Sequence, residues 1–123
     1  MADECTLTAK LEYSDSEDTE VSLLLEDFLS SVATKKVIRG KVSVGTSEEA
    51  IPLGEATSPG WFMAINRDET NYVEIKTATG GTIFAKMKAG EPCGPIRLGS
   101  GAQVPYWIAN TAACQVDYLI IQT

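Results

Sequence analysis

Polar and apolar residues alternate along most of this chain, and this alternation is typical of half-buried β-strands. The first example is Cys5–Tyr13, in which Cys, Leu, Ala, Leu and Tyr alternate with Thr, Lys and Glu. Short segments of similar character follow at Lys36–Val44, Glu49–Leu53, Gly60–Ile65, Tyr72–Thr77, Thr82–Met87, Pro95–Leu98, Val104–Ala109 and Cys114–Ile121. Short strands at regular spacing, with turn residues between them, predict an all-β chain.

One segment, Val21–Ala33, fits two structures. Its apolar residues form a helical stripe, made of Val21, Leu24, Leu25, Phe28, Leu29 and Val32. Its first five residues could equally pair back on the first strand, since the segments around it are all strands. The pattern of residues alone leaves both structures open.

Turn residues and strand composition suggest how the strands are arranged. Gly80-Gly81 predicts a tight turn, and the Asn66–Asn71 loop predicts a hairpin between the strands on either side of it. Pro52 places its short strand at a sheet edge. Cys114–Ile121 is apolar on nearly both faces, so it should be a central strand or be covered by a neighbouring subunit. The expected fold is a single antiparallel β-sandwich domain spanning residues 1–123, jelly-roll-like, with nine or ten short strands.

Composition narrows the possible functions. The net charge of −7 disfavours direct binding to nucleic acid. The sequence has no histidine, so the commonest general base and metal ligand are missing. The start of the chain does not have the pattern of a secretory signal, and no apolar run is long enough to span a membrane. Three widely spaced cysteines, Cys5, Cys93 and Cys114, predict free thiols in a protein that folds in a reducing cytoplasm.

No catalytic, cofactor or metal site is expected. The acidic run Asp15–Glu20 lacks the spacing of a calcium loop and is interpreted as a solvated turn. Glu48 and Glu49 are adjacent, so in a strand they would point to opposite faces and could not act as a carboxylate pair. Gly80-Gly81 and Gly99–Gly101 have neither the following helix nor the lysine of a phosphate loop.

Aromatic residues are the best binding candidates. Trp61 and Phe62 are adjacent, as are Tyr106 and Trp107, so one member of each pair should fill the core and the other should face outward. An outward aromatic side chain could anchor an interface or stack on a sugar. The predicted interface residues are Trp61, Tyr106, Trp107, Leu119 and Ile121.

The region from about Val44 to Gln122 resembles small structural proteins of tailed bacteriophages. The resemblance lies in segments that recur there in the same order: Thr46–Gly54, Asn66–Val73, Ala85–Glu91, Leu98–Ala102 and Tyr118–Ile121. It implies a small β-sandwich on the head or tail surface, as in head decoration (cement) proteins. Such a protein would be assembled in the host cytoplasm and would reside in the virion, bound to the major capsid protein or another virion protein.

The sequence is therefore consistent with two functions. The first is a non-enzymatic virion protein that forms a homo-oligomer, with a trimer favoured because viral lattices repeat around threefold and sixfold axes. The alternative is a glycan- or receptor-binding module, and fold alone does not distinguish the two.

Overall fold

The computed structural model describes residues 4–14, 20–31, 37–53, 59–98 and 105–122. The regular structure of these residues is entirely β, which confirms the predicted fold class. The ten strands are β1 (Glu4–Ser14), β2 (Glu20–Ser31), β3 (Val37–Val44), β4 (Glu49–Ala50), β5 (Pro59–Asn66), β6 (Val73–Lys76), β7 (Ile83–Met87), β8 (Pro92–Arg97), β9 (Tyr106–Ala109) and β10 (Cys114–Gln122).

Strands β3 to β10 form a jelly roll of two four-stranded antiparallel sheets. The first sheet has the order β3-β10-β5-β8 and the second the order β4-β9-β6-β7. The eight strands pair from the two ends of the segment inward, the first with the last, the second with the second last, and so on. The pairs are β3 with β10, β4 with β9, β5 with β8 and β6 with β7. This is the connectivity of a long hairpin rolled into two layers, as expected for a jelly roll.

The predicted hairpin between the strands flanking Asn66–Asn71 is wrong. Strand β5 belongs to the first sheet and β6 to the second, so the loop between them crosses from one layer to the other. The Gly80-Gly81 turn, in contrast, does connect two paired strands, β6 and β7. Gly80 has a φ of 66°, which glycine adopts without steric cost.

Val21–Ala33 is resolved as a strand over its described part. Strand β2 covers Glu20–Ser31 and pairs antiparallel with β1 along the whole length of both strands. These two strands form a separate two-stranded sheet, which we call the arm. The segment forms a strand and not a helix, because β1 is a pairing partner of matching length.

The core lies between the two sheets of the jelly roll. Strand β10 is central in its sheet, between β3 and β5, as its composition predicted. Its inward side chains Val116, Tyr118 and Ile120 are buried. The Tyr118 ring meets the indole of Trp107, from the opposite sheet, in an edge-to-face contact with centroids 5.8 Å apart. Strand β4 lies at an edge, also as predicted.

Candidate interaction surface

The outer face of the first sheet carries three of the five predicted interface residues. Phe62 and Ile120 are paired neighbours and are almost fully buried, at 1% and 0% exposure. Successive side chains of a strand point to opposite faces, so the residues flanking Phe62 and Ile120 point outward. They form two cross-strand pairs, Ile121 with Trp61 and Leu119 with Met63.

The arm lies against this outer face through its base, the end of the hairpin nearest its termini. Leu7 of β1 is only 7% exposed. The segment Cys5–Thr8 lines a cleft whose other wall includes Trp61, Met63, Leu119 and Ile121. In the single chain, the apolar surface predicted to need a second subunit is thus partly covered by the chain's own first strand.

The cleft has a volume of about 130 Å³ and a mostly apolar lining. An apolar cavity of about 150 Å³ holds one benzene molecule, so this cleft fits a single ring-sized group. It is well below the roughly 300 Å³ at which typical ligand pockets begin. Its size therefore suits one inserted side chain better than a sugar or a cofactor.

Trp61 joins the arm to the sheet. The Phe28 ring of β2 meets the indole edge to face, with centroids 6.2 Å apart and planes at 74°. The Arg97 guanidinium of β8 lies over the indole, 4.6 Å from its centroid. One face of the Trp61 indole therefore carries a cation and is not open for stacking on a sugar.

The pair Tyr106 and Trp107 divides as the alternation requires. Trp107 is fully buried and belongs to the core. A partner therefore cannot reach it, and the prediction of Trp107 as an interface residue is wrong. Tyr106 is partly exposed and is the outward member. It lies on the second sheet, on the other side of the sandwich from Leu119 and Ile121, so the structure does not bring the five residues together.

Asn66 organises the loop that carries the most motif-like part of the chain. Its side chain is completely buried, and its amide Nδ2 donates to the carbonyl oxygens of Asn71 and Met87 at 2.9 and 3.0 Å. Its Oδ1 accepts from the backbone N–H of Asp68 at 3.0 Å. The Asn66–Asn71 segment therefore has a structural task, which is to hold the crossing between the two sheets.

Asp68 completes the same loop. Its carboxylate accepts from the backbone N–H groups of Asn71 and Thr70, at 2.6 and 3.0 Å. These bonds hold the pKa of Asp68 below its ordinary value, and the bond from Asn71 contributes most. An ionised carboxylate that accepts from its own loop stabilises a turn.

Glu48 is a second carboxylate that accepts several hydrogen bonds, in this case at the β6–β7 turn. It accepts hydrogen bonds from the Lys76 ammonium at 2.5 Å, from the Gly80 N–H at 2.8 Å and from the Thr79 hydroxyl at 2.9 Å. The Lys76 bond contributes most to lowering the pKa of Glu48 to about 2. Glu49 does not share this site, since it accepts from the Gly45 N–H instead.

The three thiols are free, as predicted. Cys114 is fully buried, and burial together with the Asp68 charge raises its pKa. Burial also raises the pKa of Cys93. Cys5 is partly exposed and lines the cleft under the arm.

Two segments considered as candidate sites fall outside the described residues. They are the calcium alternative at Asp15–Glu20, of which only the Glu20 backbone is described, and the Gly99–Gly101 turn. Within the described ranges, no three His, Cys, Asp or Glu side chains are grouped so as to hold a metal ion. The part of the chain that the structure describes also contains no helix long and apolar enough to cross a membrane.

Sequence reasoning missed the exposed apolar surface of the arm. Both arm strands are longer than the eight strands of the jelly roll, at 11 and 12 residues. Seven large apolar side chains on them are 43–78% exposed: Leu11, Tyr13, Leu23, Leu24, Leu25, Phe28 and Leu29. The available signal was the combination of strict alternation in Cys5–Tyr13 with a leucine-rich segment able to pair back on it.

Comparison with known proteins gives no relative. No family model, no curated protein and no solved structure matches this chain.

Proposed function

We propose that this protein is a non-enzymatic structural component of a tailed-phage virion, a decoration-type protein that self-associates and sits on the particle surface. The observation that carries the proposal is the arm, with its seven exposed large apolar side chains. Large exposed apolar patches mark surfaces that bind protein or membrane. The jelly roll and the resemblance of Val44–Gln122 to phage structural chains support the same role.

Charge favours a protein partner. A net charge of −7 repels phosphate backbones and anionic lipid surfaces alike. A protein surface that matches the arm in shape and apolar character meets no such obstacle.

The lowered pKa values of two carboxyl groups also favour a structural role. The pKa values of Glu48 and Asp68 both lie below their ordinary values, and each carboxylate accepts backbone hydrogen bonds in a turn. A general acid near neutral pH needs the opposite shift. Both groups stabilise loops of the sandwich.

The proposal is tested by adding the purified protein to particles made without its gene. Pelleted particles should take up the protein until a fixed number of copies per shell is reached. Particles that already carry the protein are the matched control and should take up none. Absence of uptake, combined with binding to immobilised glycans, would replace the structural role by the glycan-binding alternative.

A further inference from the structure

The edge strands of the two jelly-roll sheets, as far as the structure describes them, differ in how well they are protected from pairing with another chain. Strand β4 has only two residues and is followed closely by Pro52. Strand β8 contains Pro92 and Pro95, which have no backbone N–H to donate. Strand β7 has five residues, and a bulge at Ile75/Lys76 interrupts its pairing with β6. Short strands, prolines and bulges are features that keep an edge from pairing with a further strand.

Strand β3 is an edge without these features. It runs for eight residues, Val37–Val44, contains no proline, and pairs with β10 along this whole length without a register shift. It stands at the end of the order β3-β10-β5-β8, so no strand among the described residues pairs with its other side. Every second residue of an edge strand directs its backbone N–H and C=O groups away from its one partner. The free side of β3 is therefore a regular row of donors and acceptors.

The outer face of β3 is basic. Arg39 and Lys41 are exposed, and their partners in β10 are Leu119 and Asp117. These partners alternate with the buried residues of β10, so all four side chains lie on the outer face of the sheet. The Asp117 carboxylate accepts from the Arg67 guanidinium at 2.9 Å. Among the described residues, neither Arg39 nor Lys41 forms an ion pair, although the net charge of the chain is −7.

The inner face of β3 is incompletely covered. Ile38 and Val42 are only half-buried and pack against the core from the edge. Gly40 lies between them, and the Tyr118 ring fills the space beside it, since a Cβ at Gly40 would lie 3.2 Å from the ring. Apolar side chains of an added strand would lie beside Ile38 and Val42 and would remove their remaining surface from water. The edge thus fits a strand in which apolar and acidic residues alternate.

A second copy of β3 does not have this pattern. When two β3 strands pair antiparallel with their outer faces aligned, in the register centred on Gly40, Arg39 of one copy lies opposite Lys41 of the other. Like charges directly opposite each other in a sheet are destabilising, and opposite charges are stabilising. The two cations therefore discriminate against a second copy and in favour of a strand that carries carboxylates.

We propose that the free edge of β3 is a strand-addition site for an extended segment of a partner protein in which acidic and apolar residues alternate. Backbone hydrogen bonds to the edge supply affinity, and the alternating side chains supply specificity. The carboxylates pair with Arg39 and Lys41 on the outer face, and the apolar side chains cover Ile38 and Val42. The proposal deepens the structural role proposed above and rests on it for the identification of the partner as another virion protein.

The test is a nuclear magnetic resonance titration of the isotope-labelled full chain, up to about 1 mM, with a peptide in which glutamate and valine alternate. The peptide has eight residues, to match the length of β3. It should cause saturable shifts of backbone amides centred on β3 and should slow hydrogen exchange at the free side of this strand at least about 10-fold. The matched control is a peptide of the same composition with its glutamates and valines in separate blocks, which should bind at least about 10-fold more weakly.

Charge reversal tests the contacts of the side chains. Arg39→Glu combined with Lys41→Glu should weaken binding of the glutamate–valine peptide at least about 10-fold and should create binding of the corresponding lysine–valine peptide. The matched control variant is Lys86→Glu combined with Lys88→Glu, which makes the same change in net charge at exposed residues in and next to β7. It should bind the glutamate–valine peptide within about twofold of wild type, since distant surface charges are screened by salt. The dispersion of the amide spectrum verifies that each variant folds.

Three results overturn the proposal. They are an alternating peptide that causes no saturable shift at β3, a block peptide that binds equally well, and a control variant that loses binding as the Arg39/Lys41 variant does. Protection of the β3 amides that increases with protein concentration in the absence of peptide would assign the edge to a second copy instead. Because the titration uses no particles, its failure leaves the virion proposal standing with a different contact surface.

Discussion

The Phe28 ring meets the Trp61 indole edge to face, at 6.2 Å between centroids and 74° between planes. This contact joins the arm to the jelly roll, since Phe28 lies on β2 and Trp61 on β5. It holds the base of the arm against the sandwich, while Leu11 and Leu23 of the arm remain 78% and 77% exposed.

A double-mutant cycle of Phe28→Ala and Trp61→Ala should therefore reveal coupling. Aromatic edge-to-face pairs contribute about 0.5–1.5 kcal/mol beyond their buried area, and denaturant unfolding of the four proteins measures this coupling. The Arg97 contact with Trp61 is lost on both sides of the cycle and cancels. The control cycle of Leu24→Ala with Trp61→Ala should be additive within about 0.5 kcal/mol. Additivity of the Phe28–Trp61 cycle would show that the ring contact does not hold the arm.

Replacing Asn66 should destabilise the sandwich strongly. Asn66→Ala removes the donor that serves the Asn71 and Met87 carbonyls in a fully buried site. Each buried polar group left without a partner costs about 1–3 kcal/mol, so we expect a loss of about 2–4 kcal/mol in the free energy of unfolding. Removing the exposed Thr111–Asn71 hydrogen bond with Thr111→Ala should cost less than about 1 kcal/mol.

Asn66→Asp adds a pH signature to the same site. A carboxylate facing backbone carbonyls is disfavoured in its charged form, so its pKa should be raised. The loss of stability relative to wild type should shrink as the pH falls and the carboxyl is protonated. A pH-independent difference between Asn66→Asp and wild type would contradict this role for the Asn66 amide.

The sequence predicted the two-layer β architecture because alternation records which side of each strand is buried, as at Phe62 and Trp107. It predicted the wrong partner for β5, because the crossing to the second sheet depends on Asn66 reaching Met87, 21 residues further along the chain. Nothing local to Asn66–Asn71 reports that contact. Similarly, the alternation in β1 predicted a face that needs burial, as at Leu7 and Leu11. It did not show that the sandwich covers only Leu7.

The Glu48 carboxylate should make the free energy of unfolding depend on pH in the acid range. Its folded pKa of about 2 lies below the ordinary value of 4.5, mainly because of the Lys76 bond. A lowered pKa contributes stability that is fully present above the unfolded value and is lost as the pH falls through the folded value. The difference in unfolding free energy between wild type and Glu48→Gln should therefore be constant above about pH 5 and should diminish toward pH 2.

The matched control for Glu48 is Glu69→Gln, which alters an exposed carboxylate in the Asn66–Asn71 loop. Its effect on unfolding should stay within about 0.5 kcal/mol, as for most surface substitutions. A Glu48→Gln difference that stayed constant from pH 7 to pH 2 would mean that the Lys76, Thr79 and Gly80 bonds do not depend on the Glu48 charge.

The proposed structural role on a virion is tested most directly by counting copies of this chain in purified particles of a phage whose genome carries its gene. Quantitative mass spectrometry against the major shell protein should give a fixed stoichiometry that survives density-gradient purification. Because the exposed apolar side chains of the arm carry the proposal, Leu23→Asp, at a position that is 77% exposed, should lower this number, while Glu69→Gln, in the Asn66–Asn71 loop, should preserve it. A chain found in the infected-cell lysate but absent from gradient-purified particles would contradict the account.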